Sequence, residues 1–88
     1  MEAVHKTIFE HLKDEIEDAC EYLREADEAE GWEKHYLAKG LHEMAMEEYS
    51  HAHFLRDYLI KKEVYHTHEH HHEVEAHWHK LREKLGLE

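Results

Sequence analysis

Two glutamates and one histidine are spaced so that they could bind a metal ion together. Glu48 and His51 form the pattern Glu-x-x-His. Residues three apart on a helix share one face, so both side chains can reach the same ion. Glu15 falls beside the apolar positions of the preceding segment. Because burying an unpaired carboxylate is costly, these inward-facing acids indicate a compensating partner, for which a cation is the obvious candidate.

The heights of the two glutamates in a helical hairpin strengthen this hypothesis. Glu-x-x-His alone is a weak signal, because the chain has 13 histidines and 22 acidic residues. If Gly31 is the turn of an antiparallel hairpin, Glu15 precedes it by 16 residues and Glu48 follows it by 17. At a rise of about 1.5 Å per residue, the carboxylates lie about 24 and 26 Å from the turn. We therefore expect them to lie level with each other.

Tyr22 provides a second match of spacing. It follows Glu15 by seven residues, which is two helical turns along the same face. In the hairpin it lies opposite the region of Gly40, where the small residue leaves room for the tyrosine ring. We therefore expect Tyr22 to pack against Gly40 beside the candidate site.

The apolar periodicity predicts the two long helices of this hairpin. The chain has no proline and only three glycines, which favours an all-α fold. The first helix is expected over residues 3–29. Its apolar stripe comprises Val4, Ile8, Leu12, Ile16, Ala19, Leu23 and Ala26. After the turn at Gly31, the second helix is expected from Trp32 to Tyr65. Its stripe comprises Leu37, Leu41, Met44, Glu48, His51, Leu55 and Leu59.

A shorter, histidine-rich helix is expected after the hairpin. Thr67 is the expected N-cap of a helix over residues 68–85, and Gly86 suits its end. Its apolar stripe comprises Val74, Trp78, Leu81 and Leu85. The chain is thus divided into a helical hairpin over residues 1–66 and a His-rich C-terminal helix over residues 67–88.

Length, charge and cysteine content exclude several classes of protein. The 88 residues indicate one domain, which is too short to seal a large core alone. A formal net charge of −11 repels nucleic acid and anionic lipid and attracts cations. Cys20 is the only cysteine, so one chain forms neither an internal disulfide nor a four-cysteine metal site. No stretch of about 20 apolar residues is present, so we expect no membrane span. The single cysteine fits a reducing compartment, and we expect a cytoplasmic location, with the inside of a protein shell as a further candidate.

The hairpin that carries these residues resembles the ferritin-like superfamily. The resemblance rests on Glu15 and Tyr22 in the first helix and on the segment from Glu48 to His51 in the second, and it covers roughly residues 3–65. The separation of the two glutamates is similar to that in rubrerythrins and ferritins, which carry two such helix pairs in one chain. With only one pair, this chain is similar to the encapsulated ferritins, whose short protomers build the site at a dimer interface.

The resemblance implies a role for each residue of the site. Glu15 is expected to be a terminal carboxylate ligand, Glu48 to bridge two metal ions, and His51 to bind one ion through a ring nitrogen. Tyr22 is expected to form a hydrogen bond next to the ligands. The implied function is the oxidation of Fe(II) by a ferroxidase-type di-iron site with two irons per dimer, where Mn or Zn are candidate substitutes.

The number of ligands then predicts the assembly. One chain offers two carboxylates and one imidazole, whereas a homodimer offers four and two, the di-iron set of ferritin-like bundles. We therefore expect the hairpin to dimerise into a four-helix bundle. A larger ring or decamer and an encapsulating shell protein are further candidates, because a dimer of this size encloses no mineral core.

Two alternatives remain open from the sequence. In the first, Glu15, Glu48 and His51 form only a polar layer of a structural hairpin. In the second, the protein is a non-catalytic transition-metal buffer or sensor, because imidazole binds zinc, copper, nickel and iron. Its working part is then the C-terminal segment with His66, His68, His70, His71, His72, His77 and His79. These histidines show no fixed tetrahedral ligand pattern, which favours a solvated helix over a metal site for this segment.

Overall fold

The computed structural model describes residues 2–88, which fold into three α-helices and a short 3₁₀ turn. Helix α1 spans Ala3–Gly31, α2 spans His35–Lys61 and α3 spans His71–Lys84, and the 3₁₀ turn Tyr65–Thr67 lies between the last two. No strand occurs among these residues, so the predicted all-α class is confirmed. None of the helices is long and apolar enough to cross a membrane within the part of the chain that is described.

The turn between α1 and α2 lies later than the sequence predicted. Gly31 is the last residue of α1, and the chain reverses at Glu33, whose φ is 60°. The N–H of Lys34 donates to the carbonyl of Ala29 at 2.8 Å, and the N–H of Glu33 donates to that of Glu30 at 3.0 Å. This pair of hydrogen bonds is a Schellman motif, which usually has glycine at the left-handed position. Because Glu33 occupies that position here, Gly31 indicated a turn two residues too early.

The core of the hairpin uses the predicted stripe of α1 but a different face of α2. On α1, the predicted stripe is confirmed except that Val4 is exposed and Ile8 only partly covered. The buried residues of α1 are Phe9, Leu12, Ile16, Ala19, Leu23, Ala26 and Ala29. Those of α2 are Ala38, Ala45, Tyr49, Ala52 and Leu59. Of the predicted α2 stripe, only Leu59 is therefore buried, and alanines fill the positions where the two helices meet.

The rest of the predicted α2 stripe forms a surface that we call the open face. The open face comprises Leu37, Leu41, Met44, Glu48, His51 and Leu55. Leu37 is 54% exposed and Met44 is 42% exposed. The periodicity of large apolar residues thus identified a real face of α2. It did not reveal that α1 packs mainly on the small residues beside this face and leaves Leu37 and Met44 exposed.

Helix α3 packs against α1, and its side chains reach the side of α2 that carries Tyr49. The ring of Trp78 stacks on that of Tyr49, with centroids 4.9 Å apart and an interplanar angle of 12°. Arg82 donates a hydrogen bond to the Tyr49 hydroxyl. Since successive helical residues point about 100° apart, Tyr49 faces away from the direction of its neighbour Glu48. Helix α3 therefore contacts this side of α2 without covering the open face.

A polar network fixes the start of α3. Glu75 accepts hydrogen bonds from Arg56 Nε at 3.1 Å and from the Tyr65 hydroxyl at 2.6 Å. Burial acts to raise the pKa of Glu75, but the hydrogen bonds from Arg56 and Tyr65 outweigh it and lower this pKa. The ring of Tyr65 is fully buried next to Phe9.

The third helix begins later than predicted, because the chain first forms the 3₁₀ turn that buries Tyr65 in the core. The predicted N-cap, Thr67, lies in the 3₁₀ turn and donates its hydroxyl to the carbonyl of Val64 at 2.7 Å. The observed N-cap is His70, which makes no side-chain capping hydrogen bond. The end is close to the prediction, since Gly86 has a φ of 76° just past the last turn.

Candidate metal centre

The structure brings Glu15, Glu48 and His51 together across the hairpin. One ligand atom from each side chain lies within 4.8 Å of the others. Within residues 2–88, no other set of three or more histidine, cysteine, aspartate and glutamate side chains converges in this way. The level placement predicted from the sequence is therefore confirmed, although the turn was misplaced.

The two glutamates meet because their side chains are long enough to bridge the difference in their heights along the two helices. Glu15 lies 16 residues before the end of α1, and Glu48 lies 13 residues after the start of α2. These separations correspond to about 24 and 20 Å along the helices. The difference of about 4 Å is within the reach of two glutamate side chains, so the exact turn residue matters little.

His51 faces both carboxylates through the same nitrogen. Its Nδ1 atom lies 3.7 Å from Glu15 Oε2 and 3.6 Å from Glu48 Oε1. Both distances are longer than a hydrogen bond. The three atoms are thus arranged around a common point, as ligands are, instead of being paired directly with one another.

The oxygen that Glu15 turns toward His51 has no partner. Only 12% of the Glu15 side chain is exposed, and its Oε2 atom is buried without any hydrogen bond. A buried acceptor left unsatisfied costs about 1–3 kcal/mol, and more when it is charged. A cation at the common point of the three ligand atoms would supply the missing partner. The residues present therefore fit a metal ion that prefers oxygen and imidazole ligands.

The proximity of the two carboxylates changes the proton affinity of Glu48. The adjacent carboxylate of Glu15 is the main cause that raises the pKa of Glu48 to about 7, and burial acts in the same direction. His51 acts in the opposite direction. Two carboxylates with oxygens within 4.8 Å of each other do not both ionise readily. Near neutral pH Glu48 is therefore partly protonated, and a metal ion would displace its proton.

The site opens onto the open face of α2. The side chain of His51 is 60% exposed, and that of Glu48 is 22% exposed. Met44 and Leu55 lie one helical turn from these ligands on either side. The candidate ligands are thus accessible from solvent and are flanked by apolar side chains.

The environment of Tyr22 differs from the prediction. Its side chain is partly buried against the core. The predicted packing against Gly40 is wrong, because a Cβ atom built on Gly40 meets nothing within 4 Å. Among the side-chain hydrogen bonds of the described residues, none involves the Tyr22 hydroxyl, so its role beside the ligands stays a prediction.

His11 contacts a ligand of the site, although the sequence did not predict this contact. Its Nε2 atom lies 3.0 Å from Oε1 of Glu15. The signal was available, because His11 precedes Glu15 by four residues and such pairs meet on a helix surface. It was obscured by the abundance of histidine in the chain.

The histidines of the C-terminal segment serve several separate contacts. His68 stacks on Phe9 with ring centroids 3.7 Å apart, and its burial lowers its pKa. His71 donates from Nδ1 to the carbonyl of His68 at 2.7 Å. His79 lies 2.8 Å from a carboxylate oxygen of Glu88. In the described part of the chain these histidines do not converge on one point.

Comparisons with known proteins give no match. The chain matches no protein-family model, no curated protein and no solved structure. The resemblance to ferritin-like proteins therefore depends only on the residues and spacings described above.

Proposed function

We propose that this chain is a ferritin-like protein that oxidises Fe(II) at a di-iron site completed by a second copy of the chain. The observation that carries the proposal is the unpartnered Oε2 atom of Glu15. It lies in a group of two carboxylates and one imidazole whose ligand atoms are within 4.8 Å of one another. Leaving a carboxylate oxygen buried and unpaired costs stability, and a bound metal ion is the compensation that this arrangement supports.

The proposal requires a dimer because one chain provides too few ligands. Glu15, Glu48 and His51 supply two carboxylates and one imidazole, and a two-fold axis beside the site supplies the same set again. The apolar side chains of the open face support this assembly, since Leu37 and Met44 are 54% and 42% exposed in the single chain. A contiguous exposed apolar surface around a polar centre is typical of an interaction site.

The ligand chemistry favours iron or manganese. Carboxylate oxygens with one imidazole per chain suit hard or borderline divalent cations better than metals that prefer thiolate. When bound, a pair of Fe(II) ions would supply two electrons, one from each ion, which reduce dioxygen to hydrogen peroxide or hydrogen peroxide to water. Glu48 would give up its proton to bind metal, and the four carboxylates of the dimer would stabilise the additional positive charge of Fe(III).

The experiment that tests this function is an anaerobic Fe(II) titration followed by exposure to air. We expect ferric absorbance that saturates at about two irons per dimer, as in the carboxylate di-iron bundles. Glu48→Ala should abolish it. The matched control is Glu43→Ala, which removes an exposed glutamate of the same helix. Equal oxidation rates in the wild type and in Glu48→Ala would exclude the proposed function.

A further inference from the structure

The residues of the open face lie seven positions apart in two interleaved series. The two series are Leu37, Met44 and His51, and Leu41, Glu48 and Leu55. The steps between neighbours alternate between four and three residues, which is the spacing of a coiled-coil seam. Such a repeat stays in line only along a second helix that winds around the first with a left-handed twist. Within residues 2–88 no helix covers Leu37 and Met44 on this line.

The seven-residue repeat continues beyond the open face at Tyr58, not at Leu59. Tyr58 follows His51 by seven residues and is partly buried, whereas Leu59 is fully buried inside the hairpin. The repeat therefore runs from Leu37 to Tyr58, which is about 31 Å along α2, and we call this line the α2 seam. A seam of two residues in every seven is narrower than the face by which a helix packs into a core. The α2 seam is thus suited to pairing with one further helix that carries the same repeat.

We propose that a second copy of the chain docks on the α2 seam with its own α2 antiparallel, so that Glu48 lies against His51 of the partner subunit. In an antiparallel pair, each residue of one series lies opposite a residue of the other series. The two-fold axis then passes midway between Glu48 and His51 along the helix, and it brings Met44 against Leu55 of the partner subunit. This inference rests on the proposed function, because it assumes that a second copy completes the site. It goes further by defining the orientation and register of that copy.

A parallel pair of α2 helices is the alternative that the same repeat allows. In that arrangement every residue of the α2 seam lies against its own copy, so Glu48 meets Glu48 of the partner subunit. Carboxylates that face each other directly across an interface repel. The antiparallel pair instead places the carboxylate of Glu48 opposite an imidazole, which has a ring N–H that can donate to it. The charge pattern of the α2 seam therefore favours the antiparallel arrangement.

The charges at the two ends of the hairpin favour the same orientation. Residues 27–34, at the turn, include four acidic residues and one lysine. Residues 56–63, at the C-terminal end of α2, include three basic and two acidic residues. An antiparallel copy brings the acidic end of each chain beside the basic end of its partner, whereas a parallel copy brings the two acidic ends together. Complementary charges of this kind select the orientation in which two surfaces associate.

Disulfide cross-linking of the full chain tests this orientation. The background is Cys20→Ala, which removes the only cysteine. In the antiparallel pair the two copies of Met44 lie about 16 Å apart along the helices, whereas a disulfide needs Cα atoms within about 7 Å. With a mild thiol oxidant, we therefore expect Met44→Cys/Leu55→Cys to give a dimer on a non-reducing denaturing gel. Met44→Cys alone and Leu55→Cys alone should give only single chains.

A matched control has the same spacing on another face of α2. His42 and His53 are also 11 residues apart, and both are exposed. His42→Cys/His53→Cys should therefore not cross-link. Leu41→Cys/Tyr58→Cys probes the same register at the next layer, and circular dichroism identifies the variants that keep their helices. Each variant is tested without metal and with Mn(II) alone, because the carboxylates of the site repel one another across a metal-free interface.

Each outcome separates this inference from the proposed function. Cross-linking of either single variant indicates a parallel pair or another register, and equal cross-linking of the control indicates random collision, so both results overturn the inference. If such a protein still oxidises Fe(II) at about two irons per dimer, the proposed function stands. If no folded variant cross-links with or without Mn(II), the second copy does not dock on the α2 seam and the inference fails. The proposed function also fails if the wild type is then a monomer under iron saturation.

Discussion

Replacing Glu48 with glutamine should stabilise the metal-free protein at alkaline pH. The substitution keeps the size and hydrogen-bonding capacity of the side chain but removes its negative charge beside Glu15. In a site built to bind a cation, the like-charged pair is a cost to the apoprotein. The variant should therefore be more stable than the wild type without metal, and it should no longer be stabilised by metal.

The magnitude follows from the proton affinity of Glu48. Its pKa rises from an ordinary value of 4.5 to about 7, chiefly through Glu15. At about 1.4 kcal/mol per pH unit, ionising Glu48 in the folded apoprotein costs at most about 3 kcal/mol. Because 22% of the Glu48 side chain is exposed, solvent reduces this figure, and we expect about 1–2 kcal/mol.

The pH dependence has a defined sign. A carboxyl group whose pKa is higher in the folded than in the unfolded protein stabilises the fold fully below the unfolded value, and this contribution is lost as the pH rises through the folded value. For Glu48 the loss occurs between pH 4.5 and about 7. The advantage of Glu48→Gln should thus be present at pH 8 and small near pH 5.

Thermal unfolding followed by circular dichroism in the presence of a chelator measures this effect. We expect Glu48→Gln to unfold about 4–16 °C above the wild type at pH 8, given the entropy of unfolding of a domain of this size. Glu43→Gln is the control for removal of one negative charge from α2. If Glu48→Gln is equal to the wild type or less stable at pH 8, the like-charge cost inferred for the site does not exist.

Two further predictions concern other parts of the molecule. Replacing the exposed histidines of the C-terminal segment with glutamine should leave iron oxidation unchanged, and loss of oxidation would favour the metal-buffer alternative; these are His66, His70, His72, His77 and His79. Deleting the segment is not a suitable test, because Val74, Trp78 and Leu81 are buried in the core. Glu33→Gly should stabilise the fold by about 1 kcal/mol, because Glu33 has a φ of 60° at the end of α1, where glycine carries no steric penalty. Urea unfolding measures this gain, and a loss of stability would contradict the assigned turn.

Much of the fold followed from the sequence because the local signals agree with one another. The absence of proline and the step of three and four between apolar residues predicted α1 and its buried stripe correctly from Leu12 onward, whereas Val4 is exposed and Ile8 only partly covered. Helix ends were less accurate, since two of the three left-handed C-terminal positions hold Glu33 and Glu63 instead of glycine. The rules that locate helix ends rely on glycine at this position, so they misplaced the turn.

The partner of each helix face was not predictable from periodicity. The stripe containing Leu37 and Met44 was expected to pack on α1, but these two side chains are exposed and the buried residues of α2 are Ala45 and other small or aromatic residues beside them. Small residues carry little hydrophobic signal, although they allow two helices to approach closely. A sequence pattern identifies which residues share a face, whereas the choice between two apolar faces depends on the packing of the whole hairpin.

The candidate site was predictable as far as it depends on the heights of its residues along the two helices. Glu15, Glu48 and His51 meet because their heights in an antiparallel hairpin are similar, and side-chain length absorbs the remaining difference. Packing of Tyr22 on Gly40 depended on helix rotation, which the sequence did not define. His11 was missed because an i,i+4 contact is not distinctive among 13 histidines.

Anomalous X-ray scattering from crystals grown with Fe(II) tests the central claim most directly. The account predicts a pair of iron peaks between two copies of the chain, each bound by Glu15, Glu48 and His51 side chains, with ligands contributed by both copies. Iron peaks located only at the C-terminal histidines would contradict it. So would a monomer under iron saturation in which these three side chains bind no metal.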